Sequence, residues 1–301
     1  MKIGMVLPMN EADGPGAGRW PHIRRLALLA EAGGIDSLWV YDHLVFRLAG
    51  EAEDGIHEAW TLLSALAAVT DRAELGTIVL GTGFRPPALT AKMAATLDEI
   101  SNGRLILGLG TGWHEPEYTA FGYPFDHRVG RFEESLRIIV PLLRGERVTL
   151  RGTWHETDDA ILLPPPPRPG RLPILVAAKG ERALRLTARW ANAWNAAWFG
   201  FPDERFAARH ADLVAACEAE GRDPAAITVT AGITIDGATG DAARPGAPNA
   251  LPADPDTVAR AFDAWRALGV GHVQVDLRPA DERLIDVLLE ARATHLGEAG
   301  A

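Results

Sequence analysis

Three short stretches of the 301-residue chain hold the residue types that do chemistry. The first is Asp42-His43, an imidazole beside a carboxylate, directly after the apolar run Ser37 to Tyr41. Histidine titrates near neutrality, so this pair at the end of a strand suits general acid or base work. A buried histidine bonded only to backbone is the alternative. The second stretch is Gly108-Leu109-Gly110-Thr111-Gly112-Trp113. Its glycines let the backbone approach a planar ligand or a phosphate and expose amides. Trp113 stands where the third glycine of GxGxxG belongs, and the run is mid-chain, so a dinucleotide site of the Rossmann type is not expected. The third is Ala177-Ala178-Lys179-Gly180-Glu181, which opens a helix after an apolar run. Free amides, the positive end of the helix dipole and the Lys179 charge together make a phosphate cradle.

Other chemistries find little support. His114-Glu115-Pro116-Glu117 and His155-Glu156-Thr157-Asp158-Asp159 contain metal-ligand types. The first is interrupted by proline and neither has a second histidine at helical spacing, so both read as solvated charges and no metal site is expected. No Gly-x-Ser-x-Gly elbow and no Walker sequence occurs. Lys179 is the sole strand-end lysine, weak ground for an aldolase or isomerase barrel. The single cysteine, Cys217, lies in a helical context and reads as a packed thiol, with no partner for an internal disulfide.

The elements that must position these groups follow from periodicity. Apolar runs rich in β-branched residues occur at 2–7, 37–41, 73–80, 104–109, 173–177, 193–197, 227–235 and 272–277, each followed by a helical pattern. Trp20 to Ala32, for example, repeats apolar residues at Ile23, Leu26, Ala27 and Ala30 and stops at Gly33-Gly34. Alternating strands and helices imply an α/β protein with a parallel sheet. Eight such strands predict a (β/α)8 TIM barrel, with an open doubly wound sheet as the alternative. Two inserts interrupt the repeat, after strands 4 and 7. Residues 127–170 hold a helix, a hairpin from Val148 to Leu163 and the stretch Pro164 to Pro167. Residues 236–255 lack periodicity and read as a mobile surface loop. The whole of 1–301 is expected to form one domain. In such a barrel the site lies at the carboxyl ends of the strands, where all three stretches fall.

Composition narrows the partners. A formal charge of −10 and the lack of a basic run argue against nucleic acid. The apolar run at the amino terminus stops at Pro8, too short for a signal peptide, and no stretch of about 18 apolar residues occurs. A cytoplasmic protein without a membrane span is expected.

The runs 34–43, 72–79, 92–113 and 188–195 together resemble the luciferase-like monooxygenase superfamily, and within it the oxidoreductases that use the deazaflavin coenzyme F420. The resemblance extends in order over roughly residues 1 to 200. It implies a barrel holding the deazaflavin over the strand ends, a non-prolyl cis peptide at Ile78-Val79 behind the ring, and His43 and Asp42 as catalytic residues. Cofactor contacts are implied at Asp42, Thr77, Ile78, Val79, Gly110, Thr111, Gly112 and Trp113, and at the phosphate loop Ala178, Lys179 and Gly180. A small-molecule substrate, a homodimer and a partner enzyme that reduces the cofactor are further expectations. FMN-dependent monooxygenases and a non-catalytic flavin-binding barrel remain open. The sugar-phosphate dehydrogenases of this group carry a glutamate after Gly-Thr-Gly where Trp113 stands here, so the acid partner of His43 is expected to be missing. An aromatic wall of Trp113, Phe46 and Trp198 would suit an apolar or planar substrate.

Overall fold

A computed structural model describes residues 1–11, 17–48, 52–237 and 249–297. Eight parallel strands run β1 (Lys2–Val6), β2 (Ser37–Val40), β3 (Glu74–Thr77), β4 (Leu105–Gly110), β5 (Ile174–Ala177), β6 (Ala193–Phe199), β7 (Thr228–Asp236) and β8 (His272–Arg278). Each is hydrogen-bonded to the next in sequence, and β8 returns to β1 with Met5 opposite Val275. The sheet is therefore a closed (β/α)8 barrel rather than an open one.

Helices α1 (Trp20–Ala32), α2 (Ala59–Val69), α3 (Pro87–Ile100), α4 (Glu115–Phe121), α5 (Arg128–Leu143), α6 (Glu181–Trp190), α7 (Glu204–Ala219), α8 (Pro255–Ala267) and α9 (Glu282–Leu296) surround it. The last three start on aspartate caps: Asp203, Asp254 and Asp281 accept from the amides of Phe206, Thr257 and Leu284, satisfying amides the helix cannot. Four residues of α1 that the periodicity singles out, Ile23, Leu26, Ala27 and Ala30, are its buried face.

Two apolar assemblies hold the barrel. One lies between strands and helices; the other fills the lumen with Val6, Trp39, Ile78, Ile106, Leu175 and Ala193. Trp39 needs a neighbour without a side chain, since a Cβ on Gly76 would sit 2.2 Å from its ring. Its indole N–H donates to Ser37 Oγ at 2.7 Å, and Ser37 Oγ is 2.7 Å from His272 Nε2. Burial pushes the His272 ring down to about 3, so it is neutral there. Cys217 is fully buried, a packed thiol.

The structure departs from the sequence pattern at three places. The run 73–80 is one strand by pattern, yet β3 ends at Thr77, the Ile78–Val79 peptide is cis, and Leu80–Gly81 resumes pairing with β4. The hairpin is present as Val148–Arg151 against Glu156–Ala160. The stretch 114–117, read from sequence as solvated charge, is the start of helix α4. Proline in the first turn starts a helix, since the amide it lacks would have had no partner there. Of the expected loop 236–255, residues 238–248 lie outside the described residues, and its far end is tied down by Leu251 and Pro252 pairing with β7.

Candidate active site

A cavity of about 500 Å³ opens at the carboxyl ends of the strands. Asp42, His43, Ile78, Val79, Gly110, Thr111, Gly112, Trp113, Ala178 and Lys179 line it, as the sequence leads one to expect. Thr77 and Gly180 are not in its wall. Thr77 is fully buried, its hydroxyl donating to Gly108 O at 2.7 Å and accepting from Gly108 N at 3.0 Å, so it ties β3 to β4. Gly180 instead precedes the first turn of α6, with no side chain capping its amides.

His43 follows β2, and its Nδ1 lies 2.9 Å from Glu117 Oε1 on α4. Glu117 Oε2 accepts the Leu44 amide at 2.8 Å. The carboxylate is almost wholly buried and lines the cavity. Two expectations are corrected here. Glu117 and His114 are buried rather than solvated, and His43 has an acid partner, supplied four residues beyond the position of Trp113. With Glu117 on Nδ1, Nε2 is the ring nitrogen left to meet a substrate.

Asp42 does not serve His43. Its carboxylate takes a bidentate pair from Arg85 at 2.7 and 3.0 Å and accepts the Gly81 amide at 2.9 Å. Arg85 also pairs with Glu58. Burial pushes the Asp42 carboxyl upward while Arg85 pulls it down. Asp42 thus anchors the Gly81 turn in the cavity wall.

The aromatic wall is partly as expected. Trp113 and Trp198 line the cavity, 60% and 38% exposed. Phe46 does not; it packs against the His43 ring with centroids 4.4 Å apart. Gly112, at φ +73°, lies so close to Tyr118 that a Cβ would sit 1.8 Å from the phenol oxygen.

Two cations also line the cavity. Lys179 has no carboxylate partner among the described residues, and burial followed by the Arg209 charge lowers its pKa. Arg209, from α7, lines the cavity and donates to Ala197 O at 3.2 Å. Trp194 Nε1 holds the Ala178 carbonyl at 3.1 Å, fixing the Lys179 loop. Arg209 is too far along the chain to be found by reading strand ends, whereas the acidic first turn after Pro116 was a signal for Glu117. Asn195 on the cavity floor donates to Thr230 and Gln274, each at 2.9 Å.

Comparison with known proteins identifies the lineage: the family model described as luciferase-like monooxygenase matches residues 1–247. The chain belongs to the luciferase-like monooxygenase family. Within this family, a phthiodiolone/phenolphthiodiolone dimycocerosates ketoreductase of Mycobacterium tuberculosis is 38% identical over 217 residues, which is 66% of this chain and 56% of that protein. An F420-dependent glucose-6-phosphate dehydrogenase of Amycolatopsis mediterranei is 36% identical over 170 residues, 54% of this chain and 49% of that one. The chain thus spans about half the length of these curated relatives. The structure of an F420-dependent secondary alcohol dehydrogenase superposes with a TM-score of 0.80 at 18% identity, covering 96% of this chain and 97% of that one. That of the EDTA monooxygenase of Chelativorans sp. gives 0.81 at 15%, covering 99% and 94%. These two structures share the luciferase-like barrel. The non-prolyl cis peptide implied by the family resemblance is present at Ile78–Val79, and a second one joins Ala197 to Trp198, both in the cavity wall. Among the described residues no helix is long and apolar enough to cross a membrane.

Proposed function

We propose that the protein is a coenzyme F420-dependent oxidoreductase that interconverts a neutral, apolar alcohol and its carbonyl compound. The observation that carries this reading is the buried Glu117 carboxylate on His43 Nδ1 at the cavity wall. A carboxylate on one ring nitrogen fixes the orientation of the imidazole and leaves the other nitrogen to exchange a proton with a substrate.

The residues present fit the coenzyme. Lys179 and Arg209 repel one another across the cavity edge, and the α6 amides beside them are uncapped, so a phosphate relieves both. Ile78 and Val79 offer an apolar surface for a planar ring. Bound there, the deazaflavin supplies the two-electron acceptor or donor of hydride. His43 Nε2 takes the hydroxyl proton as the carbinol hydride leaves, and returns it to the carbonyl oxygen in the reverse direction. Glu117 holds Nδ1 throughout. Trp113 and Trp198 shield the substrate from water, and among the described residues no unpaired charge faces it at the His43 end, which favours a neutral molecule.

Titration of the purified protein with F420 and with FMN, followed by fluorescence quenching, tests the assignment. Tighter binding of F420 is expected. Preferential binding of FMN reassigns the protein to the flavin-dependent monooxygenases of the family.

A further inference from the structure

His114 is buried beside the site without lining the cavity. It stands at the head of α4, and its Nε2 accepts the Arg47 amide at 3.1 Å. Three positions on, Glu117 takes the Leu44 amide and the His43 ring. The start of α4 therefore grips the segment after His43 at both ends. Between those grips lies Phe46, its ring 4.4 Å from that of His43 and 5.7 Å from that of His114.

We propose that His114 is a positioning residue for His43, acting through the Arg47 amide and the Phe46 ring. The Arg47 bond requires an unprotonated Nε2, so the latch works only with the neutral ring, its proton on Nδ1. Adding a proton sets one donor against another and breaks the bond. The charged and titratable groups around His114 are Glu117 on α4, His43 beyond β2, Arg47, which is paired with Glu53 at 2.8 Å, and Asp54, which stands opposite Phe46 in the short antiparallel pairing of Val45–Phe46 with Asp54–Gly55. Glu117 favours the protonated ring, His43 and above all burial oppose it, and the net effect is to lower the pKa of His114. The latch is closed at neutral pH and opens as pH falls below the ordinary histidine range. Phe46 then lifts from His43, which loses its packed face while keeping its carboxylate.

The assignment of a catalytic consequence rests on the proposed role of His43, but the latch itself is read on the protein without cofactor. Hydrogen exchange of the 44–48 backbone, corrected for intrinsic rate, is compared at pH 8, 5.5 and 4.5 in wild type, His114→Gln and His114→Phe. Gln keeps an acceptor near Nε2 that does not titrate; Phe keeps the ring volume without it. Protection of the Arg47 amide is expected to fall in wild type as pH drops, by less than about tenfold at pH 5.5 and further at pH 4.5, to be independent of pH in His114→Gln, and to be low at every pH in His114→Phe. Equal protection of wild type and His114→Phe at pH 8, or the same pH dependence in His114→Gln as in wild type, overturns the proposal. Should His114→Phe fail to fold, the comparison of wild type with His114→Gln decides alone. Turnover should follow the same order, with cofactor affinity unchanged. Exchange that behaves as expected while turnover ignores it keeps the Arg47 contact and overturns the positioning of His43 by His114; the proton-transfer role of His43 itself fails only if His43→Ala leaves turnover unchanged.

Discussion

Glu117 Oε1 and His43 Nδ1 lie 2.9 Å apart across 74 positions of sequence. The pairing exists because a four-residue link, Thr111 to His114, turns the chain from β4 into α4, laying the first turn of that helix over the end of β2. His43→Ala is expected to lower kcat by about 100-fold or more while cofactor affinity stays within a few-fold. Glu117→Gln should lower kcat about tenfold or more, because an amide can present N–H to Nδ1 and favour the other tautomer. Steady-state kinetics alongside fluorescence titration separates the two readouts. Unchanged kcat in either variant removes that residue from the proton path.

Lys179 and Arg209 line the cavity as two cations with no carboxylate partner among the described residues. Lys179→Ala or Arg209→Ala is expected to weaken F420 about 10-fold to 100-fold, the worth of one charge-assisted hydrogen bond to phosphate. The loss should shrink as ionic strength rises. A titration series from low to high salt checks it, and full affinity in both variants at low salt refutes the phosphate assignment.

Trp113 lines the cavity and is 60% exposed. Trp113→Ala should raise KM roughly tenfold for a bulky apolar alcohol, since aromatic packing contributes about 0.5–1.5 kcal/mol beyond area burial. A small alcohol such as 2-propanol should be little affected. An equal rise for both would place Trp113 in cofactor binding instead.

His272 governs stability rather than chemistry. Its pKa of about 3 in the folded chain lies below the unfolded value of about 6.5, so between those values the unfolded chain takes up a proton that the folded one refuses. The stability this contributes is present above the unfolded value and falls with decreasing pH, by at most about 1.4 kcal/mol per pH unit. Urea unfolding of wild type and His272→Gln from pH 7 to 4 should show a flatter profile in the variant. Parallel profiles would mean the ring is protonated in the fold.

Local pattern was enough for the barrel. The eight strands and their helices rest on hydrophobic period and on caps, interactions that span at most a few residues, and each is legible wherever those residues stand together. The carboxyl-end rule then pointed to His43, the Gly110-Thr111-Gly112 turn and Lys179, because the fold class dictates where sites form. That reasoning failed where a side chain's environment is made by distant chain. Asp42 stands next to His43 in sequence and turns away to Arg85; Glu117 stands 74 positions off and meets it. Phe46 belongs by type to the wall, yet packs behind the imidazole. By itself, then, the sequence determined the barrel, the end at which the cavity opens and the presence of His43 in its wall. Tertiary structure alone decided which carboxylate reaches that histidine and which cation joins Lys179, because burial and pairing depend on elements brought together by closure of the sheet, a long-range event that no local window records.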